Sequence, residues 1–208
     1  MVSTDHRGKA GLRVQLRRAD VLAGAIAILD EYGLGDLTMR RLATSLGVQP
    51  GALYWHFPNK QTLLAAITDD MLAGVAAPTD TSAWDARLDV LAHRFRDALL
   101  AHRDGAELAS ASYAARLATN GARDTLAGAC TDAGLPADEA EFAADTLLFY
   151  ILGQTMDEQS RMQMDSHGAL TEDASPLYDV TSGTARFEYG LALFVDGVRS
   201  RLSEHARH

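Results

Sequence analysis

Residues 37–60 read Leu37-Thr38-Met39-Arg40-Arg41-Leu42-Ala43-Thr44-Ser45-Leu46-Gly47-Val48-Gln49-Pro50-Gly51-Ala52-Leu53-Tyr54-Trp55-His56-Phe57-Pro58-Asn59-Lys60. Thr38 stands where it can N-cap a helix whose Leu42, Ala43 and Leu46 share one face, since a threonine hydroxyl accepts from an otherwise orphaned first-turn amide. Gly47 supplies a residue that tolerates positive φ after that helix. Gln49-Pro50 then restarts the chain, because proline suits a first helical turn whose amides lack partners anyway. The spacing predicts a short third helix from Pro50 to about His56, with small Ala43 at the crossing and Leu46, Val48 and Leu53 filling the space between the two helices. Two short helices joined by a tight turn form a helix-turn-helix, a unit that lays its second helix in the major groove of duplex DNA.

Upstream, Val21, Leu22, Ala25, Ile26, Leu29 and Tyr32 recur at helical spacing, so a first amphipathic helix is expected from about Gln15 to Tyr32, ended by Gly33 and Gly35. The third helix carries four rings in a row, Tyr54-Trp55-His56-Phe57, which cannot all face one core. Leu53 and Phe57, four apart, are the expected buried pair, with Trp55 partly packed. Tyr54 and His56 then lie nearer the surface, where a hydroxyl and an imidazole can reach phosphates. Charge agrees. Residues 1–60 hold eight basic and five acidic residues, a balance of +3, although the chain as a whole carries −9 and its remainder therefore −12. A basic end on an acidic body suits a polyanion-binding module attached to something else. The stretch 1–14, with Arg7, Lys9 and Arg13, reads as a disordered basic tail, either simply solvated or adding phosphate contacts.

The remaining residues read as helices, in keeping with 47% hydrophobic composition, scarce β-branched runs and only five prolines. A helix linking reader to body is expected over about 59–76, carrying Leu63, Leu64, Ile67, Met71 and Leu72, followed by loop residues 77–83. Trp84 opens another, with Leu88, Leu91, Ala92, Phe95, Leu99 and His102 at three- and four-residue steps, broken at Arg103-Asp104-Gly105. Two later helices, about Asp138 to Met164 and about Thr184 to Leu202, are apolar nearly all round. A helix with no polar face needs partners on both sides, so these two are expected to pair with their copies as the four-helix bundle of a twofold homodimer. The polar stretch from Asp165 to Pro176 reads as a mobile loop.

Leu37 to Ala43, Leu46-Gly47-Val48 and Leu53 to Lys60, with the first helix, resemble the N-terminal signature of the tetracycline-repressor (TetR) family over about residues 15–70. The resemblance implies that Thr38 and Arg40 contact backbone or bases. It implies that Gln49, Pro50, Gly51 and Ala52 present the base-reading end, and that Tyr54, Trp55, His56 and Lys60 hold phosphates. Because Pro50-Gly51-Ala52 offers few side-chain donors, specificity is expected to lean on Arg40, Gln49 and contact with thymine methyls. Phe95 to Ala106, Leu152-Gly153 with Asp157-Glu158-Gln159, and Phe187 to Gly197 also resemble the narrower group around the tetracycline repressor itself. Departures decide what carries over. Ala109 stands where that group has its magnesium-binding histidine, Ser112 and Tyr113 replace a threonine and an arginine, and Ala76 replaces another ligand-contacting histidine. A lone carboxylate at Asp157 is a poor site for a cation that wants several oxygens, so magnesium-tetracycline is not the expected ligand, and no metal or cofactor is expected. Leu91, Phe95, Leu108, Ser112, Tyr113, Leu126, Leu148 and Asp157 are the pocket candidates, suiting a mainly apolar effector with one or two hydrogen bonds. Each would serve equally in an ordinary core.

The expected fold is therefore all-α: a helix-turn-helix domain over 15–60 and a ligand-binding and dimerisation domain over 61–208. The expected partners are double-stranded operator DNA, a small-molecule effector and a second copy. No stretch approaches the ~20 apolar residues of a membrane helix. Arg17-Arg18 before Val21–Leu29 resembles a twin-arginine signal, but Asp20 interrupts it and Asp30-Glu31 follow without a cleavage pattern, so a cytoplasmic protein is expected. An enzyme is disfavoured, since no nucleotide loop, nucleophile elbow or paired cysteines occur. His102-Arg103-Asp104 has no accompanying kinase motifs. His93 and Asp97, one turn apart, suit either a shared metal or an exposed i, i+4 pair. A regulator that binds DNA without any ligand is the other alternative.

Overall fold

In a computed structural model that describes residues 16–166, 168–169 and 183–207, all regular structure among the described residues is helical. Three helices make the N-terminal unit: α1 (Arg18–Tyr32), α2 (Met39–Ser45) and α3 (Pro50–Tyr54). α1 begins three residues later than expected because Arg17 is its cap, its backbone N–H donating 2.9 Å to the Asp20 carboxylate. Thr38 caps α2 as read, accepting from the Arg41 N–H at 3.1 Å. α3 stops at Tyr54 rather than His56, where the chain tightens and the amides of both His56 and Phe57 donate to Leu53 O, at 3.0 and 2.9 Å. Leu53 and Phe57 are buried with Leu42, Ala43 and the inner face of α1.

α4 (Lys60–Met71) is capped by Asn59, which accepts from the Thr62 N–H at 2.9 Å. It ends five residues before the expected 76, in turns that begin at Leu72. The body follows as α5 (Trp84–Leu100), α6 (Gly105–Ala114), α7 (Ala122–Ala133), α8 (Ala137–Ser166) and α9 (Gly183–His205). α6 and α7 left little periodic trace in the sequence, being rich in alanine and small polar residues. α8 runs through Asp165 and Ser166, so those two residues are helical and not loop. The rest of the segment read as a loop, apart from Gly168 and Ala169, lies outside the described residues, as does the tail 1–14.

α5, α6, α7 and α8 enclose the core, α4 lies on α6, and α9 packs on α8 and α5. Leu88, Leu91, Phe95 and Leu99 of α5 point into it with no exposed surface. Gly190 of α9 is required by close approach, since a Cβ there would stand 2.3 Å from the Tyr150 hydroxyl of α8. That hydroxyl donates 2.8 Å to Phe187 O. Arg96 is buried in α5 and clasps Glu158 of α8 through Nη2 at 2.8 Å to both carboxylate oxygens, while also donating 3.2 Å to Thr184 at the start of α9.

One turn binds the N-terminal unit to the body. Asp104 takes left-handed φ +54 ahead of α6, but its carboxylate does not cap that helix. It accepts from the Leu34 N–H at 2.7 Å, just beyond the end of α1, and also from Gln163 of α8. Gln159 of α8 does the capping instead. Its carbonyl accepts from the Ala106 N–H at 3.0 Å, and its amide donates to Leu99 O at 3.0 Å and His102 O at 2.8 Å. His102 Nδ1 lies 3.0 Å from Asp30 and Arg103 donates 3.2 Å to Glu31 O, so the whole α5–α6 turn grips the last turn of α1.

Candidate nucleic-acid interface

The outward face of α2 and α3 carries a set of donors that no other side chain among the described residues uses. Arg40 is exposed and its guanidinium has no bonded partner among the described residues. Its neighbour Arg41 is committed, bound to Asp36 at 2.5 Å and stacked 3.7 Å over the Tyr32 ring. The two adjacent arginines thus divide into one free guanidinium and one structural tie. Thr38 spends its lone pair on its own helix but keeps its O–H. Gln49 precedes α3 with no side-chain capping bond, leaving its exposed amide free.

Trp55 is 90% exposed, which corrects the expectation of partial packing. The tight turn after Tyr54 swings its ring off the helix while Phe57 takes the buried place. Tyr54 is exposed, His56 and Lys60 are half-buried, and Pro50 and Gly51 lie open at the start of α3 with Ala52 half-buried behind them. An exposed indole with a free N–H donor beside a phenol and an ammonium group is what phosphate oxygens require, since such contacts hold register while base edges supply specificity. Two further residues on this side of the unit were not singled out in the sequence. Arg18 lies 4.6 Å over the Phe57 ring, and Thr44 lines a shallow cleft with Gly35, Thr38 and Arg40. Arg18 was legible only as a basic residue on α1, because its place depends on where Phe57 lands.

The body candidates separate into three groups. Leu91, Phe95, Leu108, Leu126 and Leu148 are buried in the core. Ser112 is also buried, but its hydroxyl is engaged: it donates 3.0 Å to Leu108 O and lies 2.8 Å from Thr68 Oγ1 of α4. Tyr113 is half-buried 6.3 Å from the Phe95 ring and donates 3.0 Å to Asn120, and burial raises its pKa to about 12. Asp157 is exposed on α8, apart from the other seven. Tyr113 and Leu148 border an open cleft of about 420 Å³, whose other walls come from Arg116, residues 118–121, Arg123 and Asp124, and from Asp145 and Phe149. Ala109 is wholly buried. His93 does not pair with Asp97 as one sequence reading had it. It turns back to Asp89, with Nδ1 2.8 Å from its carbonyl, and its ring meets Phe187 edge-on at 5.4 Å.

Large apolar side chains stand in solvent on the remaining face: Phe142 (69%), Phe149 (63%) and Met156 at seven-residue steps on α8, with Tyr189 (70%) and Leu193 (57%) one turn apart on α9. Seven-residue steps place side chains on a single seam of a helix.

Known proteins share this arrangement. The family described as "Bacterial regulatory proteins, tetR family" matches residues 21–67, and "Tetracyclin repressor-like, C-terminal domain" matches residues 77–202. The class A tetracycline repressor of transposon 1721 from Escherichia coli is 36% identical over 200 residues, covering 90% of this chain and 92% of its own length. The crystal structure of Mycobacterium smegmatis BioQ superposes with a TM-score of 0.81 at 45% identity, covering 89% of this chain and 99% of that one. BioQ solved with its natural double-stranded DNA operator is similar too, at TM-score 0.75 and 42% identity over 88% of this chain and 98% of that one.

Proposed function

The chain belongs to the TetR family of DNA-binding transcriptional regulators, and from that premise we propose that it is a repressor that sits as a homodimer on a palindromic operator and is released by a small organic ligand other than magnesium-tetracycline. The observation that carries the reading is the unspent donor set on the helix-turn-helix face: Arg40, Gln49, the Thr38 hydroxyl, and exposed Tyr54 and Trp55, with Lys60 beside them. Thr38, Tyr54, Trp55, His56 and Lys60 hold phosphates in this reading. Arg40 and Gln49 to Ala52 face base edges, where Ala52 and Pro50 offer only apolar contact.

Support for the dimer comes from the exposed seam of α8 and α9. Contiguous apolar surface of this kind marks an interaction site, and a second copy would bury Phe142, Phe149, Met156, Tyr189 and Leu193 while presenting two readers to an inverted repeat. Support for the domain division comes from the single turn at His102–Asp104 and the helix α4, which together join the N-terminal unit to the body. BioQ, a regulator of similar sequence and shape, is known bound to its operator. No helix among the described residues is long and apolar enough to cross a membrane, and we place the protein in the cytoplasm with the DNA it controls.

The test is fluorescence anisotropy on inverted-repeat fragments selected from random duplexes by the purified protein, repeated over a range of salt. A preferred palindrome with affinity that falls steeply with salt is expected. Binding that shows no preference among inverted repeats overturns the reading. Release is tested separately, since a ligand that weakens operator binding must be weakened by operator in the same ratio.

A further inference from the structure

We propose that the cleft between the α6–α7 connection and α8 binds an amphipathic organic anion, its acidic head on Arg116 and its apolar body against Tyr113 and Leu148. This deepens the effector reading above and rests on it only for what binding would do, not for whether binding occurs. The cleft measures about 420 Å³, within the ~300–1,000 Å³ of small-molecule sites.

A census of charge around it leaves one cation unspent. Arg123 is occupied by Asp145 and Glu141, each at 2.6 Å, with Asp124 3.7 Å away. Asp69 reaches in from α4 and is saturated by three donors: the Thr119 N–H at 2.7 Å, the Thr119 hydroxyl at 2.6 Å and the Asn120 amide at 3.1 Å. Asn120 in turn accepts from the Tyr113 hydroxyl at 3.0 Å and the Ala122 N–H at 2.9 Å. Arg116 lines the same cleft and is exposed, and its guanidinium has no bonded partner among the described residues. A guanidinium offers only donors and prefers planar oxyanions, which it can grip with two bonds. The connection that carries it is held in shape before any ligand arrives, so little ordering is left to oppose binding. Asp69 makes the site more than a depression. Whatever moves residues 116–120 pulls on α4, the helix whose first residue is Lys60.

The experiment is isothermal titration of the full chain with 4-phenylbutyrate and with its neutral isostere 4-phenylbutyramide, on the unaltered protein and on Arg116→Gln and Arg116→Lys. The side chain is exposed, and circular dichroism checks that both variants fold. The acid is expected to bind at least tenfold more tightly than the amide. Arg116→Gln should erase that difference and Arg116→Lys should restore part of it. Equal binding of acid and amide, a preference indifferent to Arg116→Gln, or no binding of the acid overturns the site. If the acid binds through Arg116 but leaves operator affinity unchanged, the site stands and its role as the releasing effector site falls.

Discussion

Ser112 and Thr68 invite a double-mutant cycle, because their hydroxyls meet 2.8 Å apart between α4 and α6. The Ser112 hydroxyl has one proton, directed 3.0 Å to Leu108 O, so its oxygen is left to accept from Thr68 Oγ1 at 2.8 Å. Thr68 has a second outlet, Leu64 O at 3.1 Å, but one proton cannot serve both acceptors fully. Both residues are buried, so neither can turn to water. Ser112→Ala removes the bond and leaves Thr68 its longer outlet, for a loss of about 1 kcal/mol, the net worth of a typical buried hydrogen bond. Thr68→Val keeps the shape and strands the Ser112 lone pair, for a similar loss of about 1 kcal/mol. Replacing both partners with apolar groups of like shape strands nothing, so the double variant should lose less than the sum, with a coupling of roughly 0.5–1.5 kcal/mol. Thermal denaturation at one fixed protomer concentration reads this as shifts of about 2–4 °C per kcal/mol for a chain of this size. Losses that add to within about 0.3 kcal/mol would refute the bond as the link between α4 and α6.

Further perturbations separate the interface, the body and the seam. Arg40→Ala should weaken operator binding by about 1–3 kcal/mol and relax the sequence preference at the base it faces, whereas Arg41→Ala, removing a residue tied to Asp36 and Tyr32, should leave that preference nearly unchanged. Arg96→Ala strands the Glu158 carboxylate in a mostly buried setting and should cost about 3–5 kcal/mol in chemical denaturation; a loss below about 1 kcal/mol would mean the clasp is loose in solution. Leu193→Asp, on a residue exposed in the single chain, should convert a dimer to monomers in sedimentation without lowering helix content. Cys130 is buried, and burial raises its thiol from the ordinary 9.0 to about 11, so it should resist alkylation at pH 8 until the protein unfolds. Because the unfolded thiol loses its proton first, stability should hold level below pH 9 and fall as pH rises toward 11. Tyr113 adds to that fall above pH 10.

The reader was legible almost residue by residue because local rules set it: a threonine cap, a glycine turn, a proline at the first turn, and Leu53 and Phe57 four apart. Trp55 was misjudged because its exposure follows from where α3 stops, and that turn on Leu53 O has no composition of its own. The two long helices were expected to lack a polar face, but Glu141 and Asp145 of α8 and Arg199 of α9 form ion pairs, while exposed rings and leucine do line one seam of each helix. What stayed hidden is polar and long-range. Nothing in sequence says that Gln159 caps α6 from 53 residues away, that Asp69 holds residues 119 and 120, or that Ser112 is taken by α4. A buried polar group must find a partner, but periodicity names only the apolar ones. Arg96 was the one such group with a visible signal, standing among Ala92, Phe95 and Leu99 on the inner stripe of α5.

These hidden bonds converge on α6. At its start, Asp104 holds the Leu34 N–H beyond α1, while His102 and Arg103 grip Asp30 and Glu31. Near its end, Ser112 meets Thr68, and the connection that leaves it is clasped by Asp69. The reader therefore touches the body through α1 and α4, and both routes end on the same ten-residue helix. Close-packed helices respond to a shift by moving between discrete arrangements rather than by bending. A ligand that displaces α6 along its axis would act on both attachments together and rotate the reader as a unit, whereas one that disturbs only the Arg116 end would load α4 and leave the α1 grip in place. Gly33 discriminates between the two. It has φ +88, and a Cβ there would stand 2.8 Å from the Asp104 carboxylate, so Gly33→Ala breaks the α1 grip while sparing α4. If α4 alone carries the signal, that variant should bind operator with altered affinity yet keep its full ratio of liganded to free affinity; if α6 works as one lever, the ratio should collapse toward unity.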